Sequence, residues 1–147
     1  MAANDMAAKW DAFCDTLKAA GQELTQDHVP NDEQSQAEGL RYLSRMARAA
    51  LEWYVEFNDA AFPVLYQPAH ETIKLGADNP DNVYQKAVID GHFDYRLTGR
   101  RGSIDYISFA TSKGSYAENF KQIETGFLDS NALDMDADGN FEIVLSA

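Results

Sequence analysis

Cysteine and basic side chains are scarce in this sequence. Cys14 is the single cysteine among 147 residues, so an internal disulfide is excluded, in agreement with a reducing compartment. Apolar residues surround Cys14 at helical spacing, which favours a buried thiol without a chemical role. The 12 Lys and Arg residues against 24 Asp and Glu residues give a net charge of -12. This charge opposes binding to phosphate backbones and to anionic membranes, so we expect no nucleic-acid partner and no membrane partner.

Long hydrophobic runs are also missing. No segment approaches the roughly 18 consecutive apolar residues that a membrane-spanning helix requires. The first residues of the chain are interrupted by Asn4, Asp5, Lys9 and Asp11, and therefore lack the apolar core of a secretory signal. These absences predict a soluble protein of the cytoplasm.

The sequence contains no catalytic triad, phosphate-binding loop, zinc-ligand spacing or dinucleotide-binding fingerprint. We therefore expect no cofactor, and no motif indicates an activity. The length, with 45% hydrophobic and 12% aromatic residues, is sufficient for a hydrophobic core. It predicts a single domain over residues 1–147.

Two amphipathic helices are predicted in the first part of the chain. Apolar residues recur every three or four positions from Asp5 to Ala20, and again from a cap at Asn31 or Asp32 to Phe57. The apolar stripe of the second helix should lie on a sheet; it consists of Leu40, Leu43, Met46, Ala47, Ala50, Leu51, Tyr54 and Phe57. Three prolines within residues 58–81 exclude a continuous helix there and predict an irregular connector.

Residues 82–147 have the alternation of apolar and polar side chains that is typical of strands. The Asp90-Gly91 dipeptide predicts a tight hairpin that pairs Val88 with Phe93. A loop at residues 99–102 then predicts a meander, with three cross-strand pairs: Tyr95 with Tyr106, Arg96 with Asp105, and Leu97 with Ile104.

A last hairpin is predicted from Leu133 to Leu145, with Gly139 left-handed in its turn and Met135 opposite Phe141. Together these elements predict an α+β fold, with two N-terminal helices packed on a mainly antiparallel β-sheet. The chain divides into a helical part at 1–57, the connector at 58–81 and a β-rich part at 82–147.

Basic residues concentrate on the central strands, where residues 86–113 contain 5 basic and 3 acidic side chains. These cations could hold a carboxylate, sulfate or phosphate, or they could neutralise the acidic remainder of the surface. Aromatic side chains of the long helix and the strands could line a pocket beside them, or they could form ordinary core. The predicted ligand-binding residues are Tyr54, Tyr84, Tyr95, Arg96, Arg100, Arg101 and Tyr106.

The segment from Asp134 to Asn140 matches the first half of a calcium-binding loop, with Asp134, Asp136 and Asp138 as alternating oxygen ligands. The second half departs from the pattern, because the twelfth position is Leu145 and not a bidentate Glu. A hairpin turn rich in Asp and Gly explains the same residues without a metal. The predicted register places Asp134 opposite Glu142, a like-charge pair that calcium would relieve, so Glu142 is the fourth candidate ligand.

Candidate acid-base groups are His70, Asp78, Asp81 and His92, because imidazole titrates near neutral pH and carboxylates can be tuned upward by burial. Their spacing carries little information, since the histidines have no local ligand partner. Turn formation by Asp78 and Asp81 with solvent exposure of the histidines is the alternative.

A set of short motifs extends through the second half of the chain: residues 78–84 (DNPDNVY), Asp90-Gly91, Tyr95-Arg96, residues 99–102 (GRRG) and Asp138-Gly139. Together these motifs resemble the N-terminal portion of a bacterial family known only as domain of unknown function 1214. The resemblance covers roughly Leu40 to the C-terminus. It implies no activity and no catalytic residue, and it implies a lipophilic ligand only by association with bacteria rich in aromatic and steroid catabolism.

Relatives with this pattern continue into a further β-rich portion, whereas this sequence stops after a terminal apolar strand. Such a strand leaves a pairing edge, so we expect a homo-oligomer or a missing C-terminal portion. The leading hypothesis is an uncharacterised domain that binds a small-molecule ligand, partly apolar and anionic. The alternatives are a lyase or hydrolase of aromatic or steroid catabolism, and a structural or assembly protein that uses an exposed β edge.

Overall fold

The structure is a computed structural model that describes residues 3–75, 77, 79–114 and 121–146. The chain forms two compact units, Met1–Asp90 and Gly91–Ala147. The first unit contains the helices and the second contains the strands, which pair in an antiparallel manner. The predicted α+β class with N-terminal helices is therefore confirmed. One domain over residues 1–147, and the packing of the helices on the sheet, stay predictions.

Two α-helices form the start of the first unit, α1 at Ala3–Gln22 and α2 at Glu33–Leu51. Asp32 is the N-cap of α2, as predicted, because its Oδ1 accepts a hydrogen bond of 2.9 Å from the backbone N–H of Ser35. Hydrogen bonding from the Ser35 side chain, and secondarily from its backbone N–H, lowers the pKa of Asp32 below its ordinary value. The helix is continued by a π-helical turn at Glu52–Glu56, so helical structure extends close to the predicted end at Phe57.

The predicted apolar stripe of α2 is wrong at four positions, which are exposed: Leu40, Ala50, Leu51 and Tyr54. Ala49 is fully buried and Trp53 is half-buried, whereas Leu51 and Tyr54 are 46% and 59% exposed. Apolar residues occupy several adjacent positions near the end of α2, so the pattern does not identify one face. The wider π turn, closed by a 2.9 Å bond from the Phe57 N–H to the Glu52 carbonyl, then changes the helical period.

The connector is irregular, as predicted, and it is fixed by two isolated bridges. Tyr66 exchanges backbone hydrogen bonds of 2.9 and 2.8 Å with Lys86, and His70 exchanges bonds of 2.9 and 3.1 Å with Ile73. Ile73 is fully buried and anchors the connector in the first unit. The strand predicted before Asp90 is therefore a single bridge at Lys86.

Within its described residues, the second unit contains four strands: β1 at Tyr95–Arg100, β2 at Ser108–Lys113, β3 at Ile123–Asp129 and β4 at Asn140–Leu145. They make a β1–β4 sheet and a β2–β3 sheet, each of two strands. The predicted meander is wrong, because β1 pairs with the last strand and not with residues 104–106. Leu97 faces Ile143 and Tyr95 faces Leu145. Alternation indicates which side chains share a face, but Ile104 and Ile143 are equally suitable partners for Leu97.

The predicted hairpins have mixed outcomes. Gly91 lacks the positive φ that a type I′ turn requires, and Val88 and Phe93 do not lie in a ladder. The turn before β4 forms as predicted, with Gly139 at φ 80°. Its first arm is not a strand, so the predicted pairing of Met135 with Phe141 is wrong.

Phe141 is the centre of the small core of the second unit. It is 8% exposed, lies opposite Gly99 in the β1–β4 sheet, and is tilted against Phe109 with ring centroids 5.5 Å apart. A Cβ added at Gly99 would stand 2.5 Å from Cζ of this ring. The glycine therefore provides the space in which the ring is packed.

Candidate functional site

The predicted ligand-binding residues are divided between the two units. Tyr54 and Tyr84 belong to the first unit and are about half exposed, and Tyr84 Oη accepts a 3.0 Å hydrogen bond from Asn82. The remaining residues belong to the second unit, where Tyr106 is 58% exposed and lies in an irregular segment. Tyr95 is half-buried and makes an edge contact with Phe93. Neither unit by itself contains the complete predicted set.

The arginines of the second unit are engaged with β4 and the turn that precedes it. Arg100 Nε donates a 2.9 Å hydrogen bond to the carbonyl of Asp138, and the Arg101 backbone N–H donates one of the same length to Gly139. Arg96 Nη1 lies 3.9 Å from Glu142 Oε2. The predicted cross-strand pair of Arg96 with Asp105 is therefore wrong, since the acidic neighbour comes from β4.

His70 is the candidate acid-base group with the best-defined surroundings. Its Nδ1 accepts a 3.4 Å hydrogen bond from the Thr72 N–H, which places the proton of the neutral ring on Nε2. Glu71 Oε2 lies 3.7 Å from the same nitrogen, and Thr72 Oγ1 accepts a 2.8 Å bond from Arg48 of α2. These contacts hold the connector against the helix.

The other acid-base candidates lie in turns. The Asp81 backbone N–H donates a 3.0 Å hydrogen bond to Asn79 Oδ1, so this segment forms the predicted turn. His92 is exposed in the turn after Gly91. Asp78 lies outside the described residues.

The calcium candidates form a hydrogen-bonded turn. Asp136 Oδ1 accepts bonds of 2.9 and 2.8 Å from the backbone N–H groups of Asp138 and Asn140, and its Oδ2 accepts one of 2.9 Å from Asn140 Nδ2. The bond from the Asn140 side chain is the main cause of a lowered pKa for Asp136. Glu142 is opposite Thr98, so the predicted like-charge pair with Asp134 is wrong. In the described part of the chain, no three His, Cys, Asp or Glu side chains form a metal-binding group.

An arginine row on α2 was missed in the sequence, although its spacing is readable there. Arg41, Arg45 and Arg48 recur after four and three residues, and therefore lie within an arc of about 60° on an α-helix. Together with neighbouring side chains of α2 they line an open depression of about 570 Å³. The other lining residues are Ala37, Leu40 and Ser44.

The second unit also exposes many large apolar side chains. Phe127 of β3 and Val144 of β4 are 56% and 64% exposed, although both lie within strands. The other large apolar side chains that are exposed in the described part of this unit are Phe93, Ile104, Tyr106 and Ile123. Large apolar side chains that are exposed on strands are candidates for contact with another polypeptide.

Comparison with known proteins gives a fold relative without a known function. No protein-family profile and no curated protein matches the sequence. A crystal structure of an uncharacterised protein from Burkholderia cenocepacia is similar, with 54% sequence identity and a TM-score of 0.84. The match covers 94% of this chain but 38% of that chain. In the described residues, none of the helices has the length and apolar character required to cross a membrane.

Proposed function

We propose that this chain is a structural module that assembles with a second polypeptide through its strand-bearing unit, Gly91–Ala147. The observation that carries the proposal is the exposure of large apolar side chains on strands of both two-stranded sheets, with Phe127 and Val144 as the central examples. A two-stranded sheet alone is marginally stable in water, and its stability increases when another strand or helix covers it.

Strand edges support the same proposal. Each sheet contains two strands, so β3 and β4 each have one edge that no other described strand occupies. An uncovered edge presents backbone N–H and C=O groups in the spacing that another strand can pair with. A partner that adds a strand would satisfy these groups and bury the apolar side chains beside them.

The partner that we propose is a polypeptide similar to the part of the Burkholderia cenocepacia protein that lies outside the match. The matched region has the same fold at 54% identity, yet it amounts to 38% of that chain. The larger part of that protein lies outside the match, and in our proposal it covers the faces that correspond to the two sheets of the present chain. A second copy of the present chain is the competing occupant.

Co-expression tests the proposal. This chain, carrying an affinity tag, is produced together with the unmatched part of the Burkholderia cenocepacia protein, and the complex is measured by light scattering. We expect a complex of one copy of each. Phe127→Asp or Val144→Asp should weaken it about tenfold or more, because burial of such a side chain contributes about 1.5–3 kcal/mol.

Phe62→Asp is the matched control, since Phe62 is 78% exposed and belongs to the first unit. It should leave the complex unchanged. If the chain instead forms a homodimer that excludes the co-expressed part, the occupant of the surface is a second copy of this chain and the proposed partner is wrong. A monodisperse monomer that retains no partner would refute the assembly function.

A further inference from the structure

The arginine row of α2 has an uncompensated charge at its centre. Arg41 Nη1 lies 3.6 Å from Glu38 Oε1 at one end, and Arg48 Nε lies 3.4 Å from Glu52 Oε1 at the other. Arg45 lies between them, and no carboxylate of the described residues is within ion-pair distance of its guanidinium. Along this face, three positive charges are therefore flanked by one negative charge at each end, Glu38 and Glu52.

The helical spacing makes the central charge unfavourable in the absence of an anion. Arg45 is four residues from Arg41 and three from Arg48, which are the separations at which like charges on a helix repel each other. The axial distances are about 6 Å and 4.5 Å. Arg45 is half-buried, whereas Arg41 and Arg48 are exposed, so its charge is less screened by water.

One end of the row is held in position by the connector. Arg48 Nη2 donates a 2.8 Å hydrogen bond to Thr72 Oγ1 while its Nε faces Glu52. These two contacts reduce the rotamer freedom of Arg48, so less entropy is lost when a ligand contacts the same guanidinium.

Apolar surface adjoins the arginines. Leu40 is 60% exposed and lines the same depression as Ala37 and Arg45. The hydroxyl of Ser44 donates a 2.8 Å bond to the Leu40 carbonyl, so it is not an available donor for a ligand. The donors in the depression are therefore the guanidinium groups, beside a short aliphatic surface.

From these contacts we propose that the α2 face formed by Ala37, Leu40, Arg41, Arg45 and Arg48 binds a small amphiphilic anion. Its carboxylate or phosphate group contacts Arg45, and its aliphatic part lies on Leu40 and Ala37. The planar guanidinium presents two parallel N–H groups to such an oxyanion, which gives a bidentate contact. All residues of this site belong to the first unit, and all residues of the proposed assembly surface belong to the second.

Titration with hexyl phosphate and with hexanoate tests the site, monitored by the NMR signals of the arginine Nε–H groups in isotope-labelled protein. Hexanol is the uncharged counterpart. We expect both anions to shift the Arg45 signal and hexanol to leave it unchanged. The anion that binds more tightly identifies whether the site prefers a phosphate or a carboxylate group. Arg45→Gln should weaken binding about fivefold or more, and Arg45→Lys should weaken it less because it keeps the charge.

Two further variants separate a specific site from general attraction of anions. Lys18→Gln removes the same charge from α1, where Lys18 pairs with Asp15 at 3.1 Å, and should change the dissociation constant less than twofold. Glu38→Gln removes the carboxylate that pairs with Arg41 and should therefore tighten anion binding. Misfolding of the variant cannot produce such a gain in affinity. Equal losses in Arg45→Gln and Lys18→Gln, or equal shifts with hexanol, would overturn the proposal.

Discussion

Gly99→Ala is expected to destabilise the strand-bearing unit, although alanine usually suits a strand better than glycine. The added Cβ would stand 2.5 Å from Cζ of Phe141 and 3.1 Å from Cε1 and Cε2, against an optimal separation of about 3.5–4.0 Å between carbon atoms. The ring cannot move away without changing its packing on Phe109. Overpacking of this kind costs about 1–3 kcal/mol, whereas the entropic gain of Gly→Ala is about 0.4–1 kcal/mol.

The balance of these terms is a net destabilisation of roughly 1–2 kcal/mol, to be measured by urea unfolding. Gly91→Ala is the control, because Gly91 has negative φ and no atom lies within 4 Å of the added Cβ. It should be neutral or slightly stabilising. The double variant Gly99→Ala with Phe141→Leu should be less destabilised than the sum of the two single variants, and the difference is the coupling energy between the two positions. If Gly99→Ala and Gly91→Ala have equal stability, the packing of the ring over Gly99 is refuted.

Three further predictions concern single side chains. Ile73 is fully buried, so Ile73→Ala should lower the free energy of unfolding by about 2–5 kcal/mol and Ile73→Val by about 0.5–1.5 kcal/mol. Equal losses of the two variants in urea unfolding would contradict the burial of Ile73. Because the pKa of Asp136 is lowered, its contribution to stability is present above the ordinary Asp pKa and is lost as pH falls through the folded-state pKa. Acid should therefore melt the turn around Asn140. Asp136→Asn should remove that pH dependence from the NMR spectra. Burial, and secondarily the charge interaction with Tyr54, raises the pKa of Tyr66, so folding favours the neutral phenol and stability falls as pH rises past 10.0. The absorbance titration of Tyr66→Phe should therefore lack one phenol that ionises above the ordinary tyrosine pKa in the parent protein.

Local elements of this fold were predictable because their causes lie close together in sequence. The helices follow from periodic apolar residues, and the start of α2 follows from the short Asp32 side chain beside the Ser35 N–H. The left-handed Gly139 follows from an Asp-Gly turn in which Asp136 accepts three local hydrogen bonds. In each case the deciding contact spans a few residues.

Strand partners were not predictable in the same way. Alternation correctly placed Tyr95 and Leu97 on one face of β1, but it did not choose between Ile104 and Ile143 as the opposite residue. The deciding contact is the packing of Phe141 into the space above Gly99, which joins residues distant in sequence. The surroundings of the arginines depend on distant contacts for a related reason: Arg96 and Arg100 of β1 are engaged by β4 and its turn, whereas Arg45 has no acidic partner within the described residues.

Hydrogen exchange of the backbone amides in β3 and β4 tests the proposed assembly most directly. These amides are measured in this chain alone and in the complex co-expressed with the unmatched part of the Burkholderia cenocepacia protein. We predict that the complex slows exchange at Ile123–Asp129 and Asn140–Leu145, while exchange in α1 is unchanged, because a partner strand pairs with strand edges that no other described strand occupies. Identical exchange rates in both samples would contradict the account.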